Sequence, residues 1–324
     1  MIWRETGTFS KLLPLAPSSN IRLVVVSRRD YASYEIGSPG STPHTEAEIE
    51  DIKAGRGIYL QRLGLEVANF ILWFTKTYKI PTISDDGKSG GVSVMGWSIG
   101  AVSPLALLAH ADVIPKESKQ QLASYFRQVI LYGTLFLTIT LGLFGDTFEW
   151  PPDAPDSALG FFFGLEDDIY PVNWQAFPVW AGRYYFNLDL TSRAGARATT
   201  VDSSKRSSLE NMTDEELAVN YDLAASMKSD MQLFSHMQPA LEKQTQTAFF
   251  DTTLAQEFLP ALQIVWLFCP HSPWPVARPR AIIEQEMQEH LTKKHEIRLM
   301  KFIELQGANH CVSVFICHFW SPST

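Results

Sequence analysis

The chain alternates short, largely apolar runs with longer stretches in which apolar positions recur every three or four residues. Runs at 21–26 (IRLVVV), 92–95 (VSVM), 129–132 (VILY) and 264–268 (IVWLF) have strand length, and their near-continuous apolar character suits strands covered on both faces. A last strand is expected over 297–305. Between these runs, 45–77 carries acidic residues early and then Leu60, Leu63, Leu65, Val67, Phe70, Ile71 and Phe74 at helical spacing, which predicts an amphipathic helix. Further helices are expected over 101–110, from Pro115 to about 126, and over 280–294. This alternation predicts an α/β fold: a mostly parallel central sheet with crossover helices.

A stretch of different character interrupts the pattern at 146–260. It opens rich in aromatics and proline (EWPPDAPDSALGFFFG), turns polar around SRAGARATTVDSSKRSS, and ends helical from Thr213, whose spacing to Glu216 is that of a capping box. A long insertion after a parallel strand reads as a helical cap over a site at the strand ends. The expected organisation is therefore a first core part over 1–145, a cap or lid over 146–260, and a second core part over 261–324.

With 324 residues and 45% hydrophobic content the chain has enough apolar material for a sizeable core. A net charge of −8 without a long basic stretch speaks against nucleic acid as a partner. Cys269, Cys311 and Cys317 are too few and too irregular for a disulfide framework or a zinc site, so no metal and a reduced, cytoplasmic setting are expected. The first residues lack the charged and long apolar regions of a secretory signal. Residues 128–145 carry no charge until the glycine that ends the run. They read as a buried strand followed by a loop, with a membrane contact as the alternative, because periodicity does not separate the two.

The sharpest motif is Gly96-Trp97-Ser98-Ile99-Gly100, directly after a strand and directly before a helix. A serine in such a turn projects its hydroxyl above the sheet, and the flanking glycines let strand and helix backbones approach closely. The backbone N–H of Ile99 then faces the oxygen of a reacting carbonyl. A plain tight turn would also place a serine between glycines. Pro104 falls inside the following helix and fits it poorly.

In this context the chain resembles the α/β-hydrolase superfamily, in particular a fungal group of uncharacterised esterase-like members. The resemblance is carried by VVVSRRDY at 24–31 with GSPGSTPHT after it, like the family's strand and R-D-x-x-G-x-x-S loop. It is carried further by GWSIGA at 96–101 and by GANH at 307–310 after the last strand. It implies Ser98 as nucleophile and His310 as the base that takes the serine proton and returns it to the leaving group. The histidines at 271, 290, 295 and 318 lack such a context.

Three departures accompany the resemblance. The family has strands ahead of 21–26 ending in a His-Gly loop that supplies a second oxyanion donor; here twenty residues precede that run without such a pair, so the chain is expected to be incomplete at the N-terminus. No carboxylate follows 264–268 or 129–132 where the triad acid belongs, which leaves Asp146 as the nearest candidate. The apolar ending from Cys311 and the insert at 133–144 suggest retained non-coding sequence. The resemblance implies an ester or similar acyl substrate and no organic cofactor. The aromatics Trp150, Phe161, Phe162, Phe163, Trp174 and Trp180 suggest that it is small to medium and apolar, although they serve equally to pack a lid. The rival expectation is a catalytically impaired or truncated member of the same fold.

Overall fold

The structure, a computed structural model, describes residues 9–31, 41–134, 180–190, 198–220 and 222–311. Its centre is a four-stranded sheet. The strands are β1 (Val92–Trp97), β2 (Phe126–Tyr132), β5 (Gln263–Phe268) and β6 (Met300–Glu304), in that spatial order and all parallel. A separate antiparallel pair joins β3 (Tyr185–Phe186) to β4 (Thr200–Val201). The protein is thus an α/β fold with a parallel sheet, as the alternating pattern predicts.

The main helices among the described residues are α1 (Glu46–Lys53), α2 (Ile58–Thr77), α3 (Val102–Ala109), α4 (Lys116–Tyr125), α5 (Met231–His236), α6 (Gln238–Phe250), α7 (Thr252–Glu257) and α8 (Trp274–Thr292); a further seven-residue helix spans Asp214–Asn220. The single helix expected over 45–77 is two helices. Gly55 ends the first with φ +63°, a conformation that a Cβ disfavours, and its N–H bonds the Ile52 carbonyl. Thr45 and Glu48 close a capping box at the start of α1, and Thr213 and Glu216 form the one foreseen in the sequence. Helix α8 begins six residues before the expected 280: Pro279 is carried inside the helix, and Pro275 falls in its first turn, where the N–H has no helical partner in any case. Pro104 is accommodated for the same reason, as the third residue of α3.

Alternation along the buried strands divides the core between two sides. On β5, Ile264, Trp266 and Phe268 join Val129 and Leu131 of β2 in an apolar cluster with Leu105, Leu107 and Leu108 of α3 and Phe249 of α6. Trp97, Tyr132 and Cys269, at the C-terminal ends of β1, β2 and β5, belong to a second cluster with Phe9, Met231, Leu233, Phe234 and Met237. Helix α3 sits directly on α2: a Cβ at Gly64 would lie 2.5 Å from the Ala106 carbonyl oxygen.

One expected strand is not formed. Residues 21–26 join no ladder among the described residues, and Ile21, Val24 and Val26 are exposed. An apolar run becomes a strand only where a neighbour takes its backbone groups, and among the described residues β1, at the sheet's margin, pairs with β2 alone. Within the polar stretch, the described residues contain β4, and Asp202, Ser207 and Ser208 are buried. Of residues 128–145, those up to Tyr132 lie in β2, and those beyond 134 fall outside the described residues. No helix among the described residues is long and apolar enough to cross a membrane.

Candidate active site

The chain leaves β1 at Trp97 and turns at once into a 3-10 turn, Ser98–Ala101, that feeds α3. Ser98 has φ +54°, left-handed backbone that an L residue adopts only when its surroundings enforce it. The enforcement is steric. A Cβ at Gly96 would lie 2.6 Å from Ala101 Cα and 2.8 Å from the Gly100 carbonyl oxygen, so the turn closes this tightly only with glycine there. The strained serine is 2% exposed.

His310 arrives from the opposite end of the chain, on the loop after β6. Its Nε2 is 3.1 Å from Ser98 Oγ, within hydrogen-bond distance. Its ring leans on the Trp97 indole with centroids 5.4 Å apart, and the indole Nε1–H donates to the His310 carbonyl at 3.1 Å. The other ring nitrogen faces Gly133, at the end of β2, where φ is +50° and a Cβ would come within 2.9 Å of Nδ1. Among the described residues Nδ1 has no hydrogen-bond partner. Burial drives the imidazole pKa down to about 3, so the ring is neutral near pH 7. A neutral ring with its proton on Nδ1 presents Nε2 as an acceptor to the serine hydroxyl.

The loop that carries His310 is held from the side of β3. Asn309, fully buried, donates from Nδ2 to the Gly182 carbonyl at 2.7 Å, and its Oδ1 accepts from the Cys311 N–H at 3.1 Å. Ser208 Oγ lies 2.8 Å from Asn309 Nδ2 and 3.0 Å from its Oδ1. Cys269 and Cys311 are buried nearby as free thiols, and burial pushes both pKa values up to about 12, which keeps them protonated and inert.

A second polar cluster fixes the loop that follows 21–26. Asp30, in left-handed backbone at φ +74°, accepts from the His44 N–H at 2.8 Å, pairs with His44 Nδ1 at 2.5 Å and with Lys228 at 2.9 Å. Asp230 accepts from the Tyr31 hydroxyl at 2.6 Å and pairs with Arg28. Burial would raise the pKa of Asp230, yet the value is held down to about 2, with the Arg28 charge the largest lowering influence. Arg29 grips Glu48 with two guanidinium nitrogens at 2.7 and 2.9 Å. These contacts tie the Arg-Asp loop to α1 and to the turn of π-helix Ser226–Asp230.

The structure therefore brings together Gly96, Trp97, Ser98, Ile99 and His310, the residues singled out from the sequence. Asp146 lies outside the described residues, as do Trp150, Phe161, Phe162, Phe163 and Trp174. Trp180 is described, half-buried, and packs against the apolar cluster that contains Trp97. Sequence reasoning missed Gly133, Asn309 and Ser208. For Asn309 a signal was present: an asparagine in a short turn before a functional residue is a frequent side-chain-to-backbone clamp.

No family model matches the chain, and no curated protein matches it. A solved structure from a study of carboxylesterases of the ammonia-oxidizing thaumarchaeon Nitrososphaera gargenis is similar to 96% of this chain and 80% of its own. The sequence identity is 12% and the TM-score 0.39. The fold class rests on the chain's own parallel sheet.

Proposed function

We propose that the protein is a serine hydrolase of the α/β-hydrolase type that cleaves an ester or related acyl bond of a small to medium apolar substrate. One observation carries the reading: a serine in strained backbone at the C-terminal end of the parallel strand β1, its Oγ 3.1 Å from a buried imidazole. In the first step Ser98 Oγ bonds the acyl carbon while its proton passes to His310 Nε2. The Ile99 N–H stabilises the oxyanion, and the leaving alkoxide takes the proton back from Nε2 as its bond to carbon breaks. Water then repeats the sequence on the acyl-enzyme, His310 again acting first as base and then as acid. The span 146–260 is proposed as the cap, with α6 and α7 at its end packed into the body beside α3. No metal or organic cofactor enters these steps.

A second reading, a catalytically impaired member of the same fold, is favoured by one fact: His310 Nδ1 meets no acceptor among the described residues. Without one, the imidazolium formed in the transition state lacks its usual stabilisation. Labelling of the purified chain by a fluorophosphonate probe beside a Ser98→Ala control separates the two. Labelling that vanishes in the control supports the hydrolase; a folded chain that resists the probe supports the impaired form.

A further inference from the structure

We infer that Asn309 and Ser208 act as a positioning pair, holding His310 in register with Ser98 by the backbone rather than through the ring. The inference rests on the hydrolase reading for its kinetic consequences, but its geometry stands apart from it. An imidazole turns about its Cβ bonds, and a catalytic ring is ordinarily steadied by an acceptor on Nδ1. Here that nitrogen has none among the described residues. The ring itself is only packed, between Trp97 and Gly133, so the hydrogen bonds that steady it act on the chain on either side of it.

Three holds do so. Behind the ring, the His310 carbonyl accepts from the Trp97 indole at 3.1 Å, which couples the histidine to the residue preceding the nucleophile. Ahead of it, Asn309 spans two segments with one buried amide. Its Oδ1 closes the turn around His310 through the Cys311 N–H, and its Nδ2 reaches the Gly182 carbonyl, which also accepts the Ser208 N–H at 2.7 Å. Further along, the His271 N–H donates to the Ala308 carbonyl while the Tyr185 N–H donates to the His271 carbonyl, both at 3.0 Å. The histidine loop is thereby stitched to residues 180–190 and 207–208, which belong to the proposed cap. Ser208 completes the clamp with a hydroxyl that accepts from Nδ2 or donates to Oδ1, and it is fully buried. The placement of the cap segment and the aim of His310 are in this way one structural variable.

The test uses Asn309→Ala, Asn309→Asp and Ser208→Ala in the full chain, with fluorophosphonate labelling followed over a range of probe concentrations. Misplacing a reacting group by about 1 Å costs on the order of 100-fold. Asn309→Ala is therefore expected to slow the maximal labelling rate by roughly that factor. The half-saturating probe concentration should stay within about twofold, since probe binding is not touched. Asn309→Asp, which keeps the acceptor for the Cys311 N–H and loses the donation to Gly182, should fall between it and the wild type. Ser208→Ala should slow the maximal rate by about fivefold, a partial loosening of the same clamp.

A second readout is independent of activity: the indole 15N–1H resonance of Trp97, assigned with Trp97→Phe, should move in Ser208→Ala because its acceptor is the His310 carbonyl. Should Asn309→Ala fail to fold, Ser208→Ala decides. Folded variants that label at the wild-type rate with an unmoved Trp97 resonance overturn the inference. A wild-type chain that never labels removes the hydrolase reading instead, and the Trp97 resonance alone then decides: moved, it upholds the clamp; unmoved, it refutes it.

Discussion

Replacing Gly133 with alanine sets the geometry of the histidine against the stability of the fold. The residue sits at φ +50°, where an alanine costs about 1–2 kcal/mol in backbone energy alone. Its Cβ would lie 2.9 Å from His310 Nδ1, whereas an unstrained contact needs about 3.5 Å, so the ring must retreat by roughly 0.6 Å. The Ser98–His310 separation is 3.1 Å, and a displacement of that size takes Nε2 out of its present alignment with the serine Oγ. The expected result is a loss of about 10- to 100-fold in the rate of fluorophosphonate labelling, with a stability loss in urea of about 2 kcal/mol. Gly64→Ala is the matched control. Its Cβ would meet the Ala106 carbonyl oxygen at 2.5 Å in the contact between α2 and α3, away from Ser98 and His310. It should lower stability by about 1–3 kcal/mol while the surviving folded fraction labels normally. Labelling of Gly133→Ala at the wild-type rate, in a protein that shows the stability loss, would refute the idea that this glycine sets the position of the ring.

Three further outcomes follow from the charges. The pKa of His310 is pushed by burial to about 3, against 6.5 for a free histidine. The labelling rate should therefore hold level down to about pH 4 instead of falling through 6.5; an inflection near 6.5 in the pH profile would contradict the buried neutral ring. Between pH 6.5 and 3 the unfolded chain binds a proton there that the native state does not, so urea midpoints should decline as pH drops through that window. Glu48, held to about 2 chiefly by the Arg29 guanidinium, and Asp230, held to a similar value, add to the decline below about pH 4, where their unfolded counterparts begin to protonate. Asp230→Ala removes the carboxylate that pairs with Arg28 and accepts from Tyr31, and should cost about 3 kcal/mol in urea unfolding; a loss under about 0.5 kcal/mol would show that the cluster does not hold the Arg-Asp loop.

The sheet was legible because its inner strands, β2 and β5, are largely buried and correspondingly apolar, while the marginal strands β1 and β6 keep exposed positions such as Ser93 and Lys301 within shorter apolar runs. β1, β2, β5 and β6 all fall on runs that pattern alone picks out. The run at 21–26 has the same appearance and joins no ladder, because composition reports what a segment can bury and pairing depends on whether a neighbour is there. The split at Gly55 was lost in an amphipathic pattern that continues across it. At the site, Ser98 and His310 were legible because a serine turn between strand and helix, and a Gly-Ala-Asn-His turn after the last strand, carry local constraints. Gly133 and Ser208 were not. A glycine after a strand and a serine among serines are ordinary in sequence, and their roles arise from contacts with residues 177 and 101 positions away in the chain.

The sheet has one more property, which concerns time. Its spatial order, β1, β2, β5, β6, is the order in which the strands leave the ribosome, so each new strand finds its partner already made. The sheet is able to grow outward from one margin during synthesis, without waiting for a distant segment to be inserted between strands already paired. Ser98 and His310, by contrast, are 212 residues apart. At about 5–20 residues per second, the serine spends some ten to forty seconds in a nascent chain that holds no partner for it. Whatever reactivity the pair possesses is withheld until the last strand is in place.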